Sequence, residues 1–229
     1  MRCRLFCNRI RYRKVKYIVT GGAGFIGSNI VKKLVSRGHD VIVIDNLNTG
    51  KEENLELVKE KITFLKDDIL NVDLLEKETQ GIDGVFHQAA LASVQDSFTK
   101  PDEYHDVNVN GTENILKLAK KNNFKVVYAS SSSVYGNPER IPIKETDSKN
   151  PINPYAETKL KKEELAIKYA EMGVKVIGLR YFNVFGKGQS KEYAGVLKLF
   201  LERIRDGLPP KINGDGKQFR DFVYVEDVA

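Results

Sequence analysis

Three glycines spaced three residues apart constrain the fold of this chain more than any other feature. Gly21, Gly24 and Gly27 lie in the segment TGGAGFIG, directly after an apolar run and at the start of a helical pattern. Glycine at such positions permits a tight strand-to-helix turn, close approach of a pyrophosphate to the backbone, and tight packing of helix on sheet. The first helical amides and the positive end of the helix dipole would bind the phosphates. The segment predicts a dinucleotide site that includes Gly21, Gly24, Phe25, Ile26 and Gly27.

Short apolar runs alternate with longer amphipathic segments along most of the chain. Apolar runs bounded in this way are typical of buried parallel strands, and the longer segments have helical spacing. Strand–helix alternation predicts an α/β fold with a Rossmann-type doubly wound parallel sheet and helices on both faces. The predicted strands are Lys16–Thr20, Val41–Asp45, Ile62–Lys66, Val85–His87, Val126–Ser130 and Val174–Arg180, and the predicted helices are Ile26–Ser36, Val72–Glu78, Asn108–Lys121 and Tyr155–Met172.

The spacing of glycine and proline changes near residue 181, which indicates a change of domain. Residues 181–229 contain frequent glycines and prolines and one clear helical pattern, Gly195–Arg205, with a further helix start at Glu226. We therefore predict a Rossmann domain over 15–180, followed over 181–229 by the start of a smaller, incomplete substrate domain. Residues 1–14 are interpreted as a basic leader outside both.

Positive charge is concentrated at the N-terminus. Seven of the 37 lysines and arginines lie in the first sixteen residues, and the remaining 30 are balanced by 31 acidic residues. The body of the protein therefore gives no reason to predict nucleic-acid binding. Cys3 and Cys7 supply half a zinc site at most, so no metal is predicted. No apolar run reaches the roughly 18–20 residues of a membrane span, and a cytoplasmic protein is expected.

Acidic side chains follow the second and third predicted strands. Asp45 lies eighteen residues after Gly27, near the position where dinucleotide sites carry an acidic residue for the adenosine ribose. Such a carboxylate accepts hydrogen bonds from ribose hydroxyls and repels a 2′-phosphate, which favours NAD over NADP. Asp68 and Ile69 follow the third strand and are predicted to flank the adenine, although Asp67 and Asp68 are also typical of a solvated loop pair.

Small residues follow the fourth predicted strand, in the segment HQAAL. They would allow a cofactor to lie across the edge of the sheet, so Gln88, Ala89 and Ala90 are predicted cofactor contacts. His87 is interpreted as a hydrogen-bonded histidine at a strand end rather than as a proton shuttle.

Tyr155 and Lys159 lie one helical turn apart on one helix face. A phenol titrates near pH 10, and a nearby ammonium group stabilises the phenolate, so the pair is suited to act as a base. The four serines 130–133 leave the fifth strand at its carboxyl end, where ligands bind in open α/β sheets. A serine hydroxyl there would bind the same substrate oxygen as Tyr155. For most of the four serines, the alternative is a turn with local side-chain hydrogen bonds.

The order of the motifs resembles that of the extended short-chain dehydrogenase/reductases. The matching segments are TGGAGFIG, DNLNTG, DDIL, HQAALASV, SSSVYG, NPYAETK, LRYFNVFG and GDGKQFRDFVYVEDVA, over about residues 15–229. Within that family the chain is most similar to nucleotide-sugar epimerases of the UDP-glucose 4-epimerase type. The resemblance implies NAD as cofactor, with Asn46, Asn108 and Tyr181 on the cofactor side.

The resemblance also implies catalytic and substrate-binding roles. Tyr155 would be the base, and Lys159 its partner and a ligand of the nicotinamide ribose. Ser131, counted back from the VYG that follows, would be the catalytic hydroxyl. Asn183 and Arg220 would contact the diphosphate of the sugar nucleotide, because a guanidinium suits paired phosphate oxygens.

The reaction that these roles imply is NAD-dependent 4-epimerisation of a UDP-sugar, by oxidation at C4 and return of the hydride to the other face. The implied partners are the sugar nucleotide and a second copy of the chain, packed through helices at about 101–122 and 154–172. Members of the family continue further, so we expect the chain to lack the C-terminal part that completes the sugar pocket.

Three alternatives remain open. Nucleotide-sugar 4,6-dehydratases carry an Asp-Glu pair directly after the catalytic hydroxyl, where this chain has Ser132 and Ser133. A UDP-glucuronate decarboxylase is the second alternative. The third is a non-catalytic NAD-binding sensor, against which the intact set of Ser131, Tyr155 and Lys159 argues.

Overall fold

A computed structural model describes residues 14–189 and 196–229. The predicted leader, with Cys3 and Cys7, lies outside these residues except for its last position, and so does Gly195, the predicted first residue of the late helix.

A six-stranded sheet forms the centre of the molecule, and all of its strands are parallel. The order β3-β2-β1-β4-β5-β6 is that of a Rossmann fold, which confirms the predicted fold class. Each predicted strand is present, with ends that differ by at most two residues. The strands are β1 Lys16–Thr20, β2 Asp40–Ile44, β3 Ile62–Leu65, β4 Gly84–His87, β5 Lys125–Ser131 and β6 Val176–Tyr181.

Helices connect these strands. Those that the periodicity predicts are α1 Phe25–Ser36, α2 Val72–Glu78, α5 Gly111–Asn122, α6 Pro154–Glu171 and α7 Val196–Arg205. Short helices that it did not predict are α3 Val94–Thr99, α4 Pro101–His105 and 3-10 helices at Glu52–Lys61 and Ser132–Tyr135. A π-helical turn, Asp106–Asn110, joins α4 to α5, so the predicted helix start at Asn108 lies inside an irregular turn. α3 and α4 have only six and five residues and show too few periods for the pattern to be recognised. The 3-10 helices have about three residues per turn, so their pattern departs from the period of 3.6.

The alternating side chains of the strands build a hydrophobic core on each face of the sheet. In β1, Ile18 packs with α2, α5 and α6 on one face, whereas Val19 packs with α1 and the 3-10 helix Glu52–Lys61 on the other. Both residues are completely buried. Covering both faces in this way is what leaves the carboxyl ends of the strands as the accessible edge.

A second, two-stranded sheet follows the large one. It pairs β7 Asn183–Phe185 in parallel with β8 Phe222–Tyr224, which leads into the short helix α8 Val225–Val228. Val225 is fully buried, and Ala229 packs into the core beneath α1. None of the helices within the described residues is both long enough and apolar enough to cross a membrane.

Candidate active site

A cleft of about 1190 Å³ runs along the carboxyl edge of the sheet. Parallel strands end on the same side, so residues that are far apart in sequence meet there. The predicted site residues that line this cleft are Gly21, Gly24, Phe25, Ile26, Gly27, Asp45, Asn46, Asp68, Ile69, Gln88, Ala89, Ala90, Ser131, Tyr155, Lys159, Tyr181 and Asn183. Asn108 and Arg220 do not line it.

The glycine turn between β1 and α1 forms the floor of one end of the cleft. Gly21 has a φ of +66°, and a Cβ there would lie 2.6 Å from the backbone nitrogen of Ala89. A Cβ on Gly27 would lie only 2.1 Å from the carbonyl oxygen of Gly21. Both positions therefore require glycine because of the backbone that surrounds them.

Helix α1 begins at this turn without a side-chain cap. Its N-cap residue is Gly24, and its first turn contains no acidic residue. By contrast, Asn71 and Asn153 cap α2 and α6 through their side chains. The first amides of a helix need hydrogen-bond acceptors, and the helix dipole favours negative charge there. Because the first turn of α1 lines the cleft, it can bind the pyrophosphate of a dinucleotide.

Asp45 lies directly after β2 with only 7% of its surface exposed. Its carboxylate accepts hydrogen bonds from the backbone nitrogens of Ala23 and Leu47, both at 2.9 Å. Burial raises the pKa of Asp45, although these backbone hydrogen bonds oppose the rise. The carboxylate is therefore held in place by its own loop and retains lone pairs for ribose hydroxyls.

Asn46 and Asp68, predicted from separate segments, are in direct contact. The Asn46 side-chain nitrogen donates to the Asp68 carboxylate at 2.7 Å, and the backbone nitrogen of Leu70 also donates to it at 2.9 Å. This link connects the loops after β2 and β3 where both line the cleft, next to Ile69. Both hydrogen bonds are exposed to solvent, so Asp68 as a cofactor contact and the alternative of a solvated loop pair both remain predictions.

Asn108 supports the wall of the cleft from behind. It is completely buried, and its side-chain amide exchanges hydrogen bonds with both backbone groups of Leu91, at 2.8 and 3.0 Å. The same amide donates to the Thr158 hydroxyl at 3.0 Å. Leu91 lines the cleft, so Asn108 acts on that wall through Leu91.

His87 is buried beneath the cleft rather than in it. Its two ring nitrogens lie 2.7 Å from the Thr20 hydroxyl and 2.9 Å from the Thr112 hydroxyl. Burial, together with the nearby charges of Lys162 and Lys159, lowers its pKa well below the usual value. A neutral histidine with both nitrogens occupied fits the predicted structural role.

Tyr155 and Ser131 both line the cleft. Asn153 caps α6 by accepting the Ala156 amide at 2.9 Å, which places Tyr155 in the first turn of the helix. Burial raises the pKa of the Tyr155 phenol, and its hydrogen bond to Ser131 opposes that rise. The lowering of this pKa that a neighbouring lysine is expected to cause is therefore not seen, because burial of the phenol has the larger effect.

Lys159 lies one turn along α6, 3% exposed. Its ammonium nitrogen donates to the carbonyl oxygen of Ala129 at 3.3 Å and lies 5.5 Å from the centre of the Tyr155 ring. Burial lowers its pKa to about 8. Lys159 is therefore still mainly protonated at neutral pH and places a positive charge beside the phenol.

Three of the four serines make two side-chain contacts: one is distant in sequence, and the other is a local bond of the kind expected in a serine-rich turn. Ser130 donates to the Glu163 carboxylate at 2.6 Å, and Ser133 donates through its hydroxyl to the Ser131 hydroxyl at 2.9 Å. Glu163 and Ser133 were not among the predicted site residues. The signal for Glu163 was its position on α6, four residues after Lys159 and eight after Tyr155, on the same face of the helix.

The last residue of β6 and the residues that follow it also line the cleft. The Tyr181 hydroxyl donates to the side-chain oxygen of Gln88 at 3.2 Å, and burial raises the pKa of Tyr181 to about 12. Asn183 donates through its side chain to the carbonyl oxygen of Asp221 at 2.8 Å. Arg220 is exposed and contacts the carbonyl oxygen of Phe219 at 2.7 Å, away from the cleft.

Comparison with protein families gives one match across nearly all of the chain. The model of the NAD dependent epimerase/dehydratase family matches residues 17–229. The similar solved structures include UDP-N-acetylglucosamine 4-epimerase of Methanobrevibacter ruminantium M1, with 41% identity, a TM-score of 0.90, and coverage of 95% of this chain and 71% of that one.

Two further relatives bear on cofactor and reaction. The Thermus thermophilus UDP-glucose 4-epimerase, solved as a complex with NAD, is 38% identical with a TM-score of 0.82, and the match covers 93% of this chain and 71% of that one. The UDP-N-acetyl-alpha-D-glucosaminuronate decarboxylase of Bacillus cytotoxicus is 38% identical over 223 residues, which are 94% of this chain and 69% of the relative. Relatives with this degree of similarity therefore catalyse more than one reaction.

Proposed function

We propose, since the chain belongs to the NAD dependent epimerase/dehydratase family, that it catalyses the NAD-dependent 4-epimerisation of a UDP-sugar. The observation that carries the proposal is that Ser131, Tyr155 and Lys159 line the same cleft as the glycine turn, with the Lys159 ammonium 5.5 Å from the centre of the Tyr155 ring. A sensor would need the cofactor site alone, so a complete set of proton-transfer groups supports an enzyme.

The cleft fits NAD in both charge and shape. The uncapped first turn of α1 suits the pyrophosphate, and a Cβ at Gly21 or Gly27 would disturb the backbone that forms this turn. The Asp45 carboxylate suits the ribose hydroxyls and would repel the 2′-phosphate of NADP. Gln88, on the nicotinamide side, has a buried side-chain nitrogen that bonds to none of the described residues, so a donor remains for a ligand.

The side chains can perform the proton transfer that 4-epimerisation requires. Tyr155 takes the proton of the sugar 4-hydroxyl in its deprotonated form, with Ser131 bound to the same oxygen. Burial alone disfavours that form by raising the pKa of the phenol, and the positive charge of Lys159 beside the ring favours it. Bound NAD would accept a hydride from C4 and return it. Because the sugar must present both faces in turn, the protein must hold the 4-keto sugar and exclude water while the sugar turns.

The residues after the catalytic hydroxyl favour epimerisation over elimination. Ser133 donates a hydrogen bond to Ser131, so position 133 is in contact with the reacting groups. A dehydratase of the resembling family would carry a carboxylic acid there, and this chain carries a hydroxyl. Decarboxylation of a UDP-uronate is the second candidate, because a decarboxylase is among the relatives.

Product analysis with a panel of UDP-sugars tests the proposal. The protein is incubated with NAD and each sugar, and mass spectrometry and NMR follow the product. An epimer has the mass of its substrate, whereas decarboxylation removes carbon dioxide and elimination removes water. Binding of NAD without conversion of any sugar would support the sensor alternative instead.

The Tyr155→Phe variant tests the assignment of the base. Phenylalanine keeps the ring and removes the titrating oxygen, so turnover should fall by about 100-fold or more while NAD binding is unchanged. Turnover within about threefold of the parent would exclude Tyr155 as the base.

We also infer a homodimer packed through α4–α5 and α6. Ile167 and Met172, on or directly after α6, are 55% and 45% exposed, which leaves apolar surface for a second copy. Light scattering measures the mass of the assembly directly.

A further inference from the structure

Glu163 connects every segment that carries a proton-transfer residue. It lies on α6, the helix of Tyr155 and Lys159, and is 5% exposed. Its Oε1 accepts from the Ser130 hydroxyl at 2.6 Å and from Nε of Arg180 at 2.8 Å, and its Oε2 accepts from Nη2 of Arg180 at 2.8 Å. Lys149 approaches Oε2 at 3.3 Å.

Arg180 links Glu163 to β6 and to the segment after β5. It lies at the end of β6 and donates from Nη1 to the Tyr135 hydroxyl at 2.5 Å and to the carbonyl oxygen of Glu145 at 2.9 Å. Its guanidinium lies 4.9 Å from the centre of the Tyr135 ring. In the parallel register, Arg180 is paired with Ser130, so both reach Glu163 from adjacent strands.

The charges in this cluster are complementary. Burial alone would raise the pKa of Glu163, but the hydrogen bonds from Arg180 and Ser130 more than offset it, so the carboxylate is ionised at neutral pH. A two-point guanidinium–carboxylate pair fixes orientation as well as distance. A buried carboxylate with four donors around it therefore holds α6 and the end of β5 in one arrangement.

We propose that the Glu163–Arg180 pair is a positioning device that fixes the Ser131–Tyr155 contact for proton transfer. This inference rests on the proposed function. Ser131 is the residue after Ser130, and Tyr155 lies two helical turns before Glu163, so the carboxylate links the two halves of the reacting pair. Displacement of a reacting group by about 1 Å can reduce turnover about 100-fold.

The variant Glu163→Gln tests the device with little change of shape. It keeps an acceptor for Ser130 but loses the charge that holds Arg180 at two points. We expect kcat to fall about 10-fold to 100-fold while KM and NAD binding change by less than about threefold. Glu164→Gln is the matched control, because Glu164 is the next residue on the exposed side of α6.

A double-mutant cycle with Ser131→Ala separates positioning from general loss of stability. If Glu163 acts through Ser131, then Glu163→Gln should lower kcat by less than about twofold once Ser131 is already alanine. If Glu163→Gln lowers kcat in the Ser131→Ala protein as much as it does in the parent, the proposal is overturned. Should Glu163→Gln fail to fold, Ser130→Ala removes only the strand side of the link, and the same cycle with Ser131→Ala is then decisive.

A crystal structure of Glu163→Gln with NAD gives a readout that does not need turnover. A longer distance from the Ser131 hydroxyl oxygen to the Tyr155 phenol oxygen than in the parent supports positioning, and an unchanged distance overturns it. If the parent converts no UDP-sugar, the proposed function fails, and the comparison of these two distances still decides the positioning role. Arg180→Lys, which keeps one charge but not the two-point contact, should lengthen the distance as well.

Discussion

Replacing Lys162 by methionine should stabilise the protein, and the gain should depend on pH. Lys162 lies on α6 next to the proposed positioning pair and is completely buried. Its ammonium nitrogen makes no hydrogen bond to any residue in the described ranges 14–189 and 196–229, and it lies 5.6 Å from the centre of the Tyr128 ring. Methionine has a similar length, no polar atom that requires a donor, and a sulfur that packs well against aromatic rings.

The magnitude has two parts. A buried amine without a partner is destabilising by about 1–3 kcal/mol even when it is neutral. Burial, and then the like charge of Lys159, lower the pKa of Lys162 well below its usual value in the folded protein. Between that lowered pKa and the value of about 10.4 in the unfolded chain, the unfolded state binds the additional proton.

The sign of the pH dependence follows from this difference in proton binding. The stability of the parent rises with pH through that window, by about 1.4 kcal/mol for each pH unit in which only the unfolded chain is protonated. Methionine does not titrate. The advantage of Lys162→Met should therefore be largest near neutral pH and shrink as the pH approaches about 10, to the part due to the neutral amine.

Urea unfolding, followed by far-ultraviolet circular dichroism at about pH 7 and about pH 9.5, measures both parts. Lys161→Met is the matched control: Lys161 is the preceding residue and is exposed, so its replacement should change stability by less than about 0.5 kcal/mol at either pH. A Lys162→Met variant that is no more stable than the parent at neutral pH would show that the amine has a partner in solution. An advantage that grows with pH would contradict the direction of the pKa shift.

Two further predictions concern the cleft. Asp45→Asn should weaken NAD binding by about 10-fold, because hydrogen bonds to a charged acceptor are lost, and should reduce the ratio of NADP to NAD dissociation constants. Fluorescence titration with both cofactors measures these constants, and a parent protein that binds NADP more tightly than NAD would refute the role of Asp45. Ser131→Ala should lower kcat more than Ser133→Ala does, because Ser131 contacts Tyr155 while Ser133 acts by donating to Ser131. Steady-state kinetics on the accepted UDP-sugar measure both losses, and a larger loss for Ser133→Ala would show that Ser131 is not the catalytic hydroxyl.

The glycine turn that lines one part of the cleft could be predicted from the spacing of neighbouring residues. Gly21, Gly24 and Gly27 stand at fixed spacing between a strand and a helix, and the structure shows why Gly21 and Gly27 tolerate no Cβ. The positions of the six strands could also be predicted, because strands that are covered on both faces are apolar along their whole length. Parallel strands in turn determine that Asp45 and Ser131 lie at one edge.

The contacts of the polar side chains depended on the tertiary structure. Nothing local distinguishes Ser130 from Ser133, yet one binds Glu163 and the other binds Ser131. Asn108 was expected to contact the cofactor. It lies in a π-helical turn behind the cleft wall that includes Leu91, and its side-chain amide forms hydrogen bonds with Leu91 and Thr158. Glu163 lies 33 residues from Ser130, and Leu91 and Thr158 lie 17 and 50 residues from Asn108, so only the folded chain brings these partners together.

The sequence by itself determined which residue types stand at the carboxyl edge of a parallel sheet, since periodicity and glycine spacing are properties of neighbouring residues. Only the tertiary structure decided the ionisation of the groups behind that edge. Lys159 and Lys162 are both lysines on one helix, but burial lowers the pKa of the first to about 8, and burial together with the charge of Lys159 lowers that of the second well below its usual value. The difference arises because desolvation depends on the whole surrounding volume of protein, which forms only when the chain has folded.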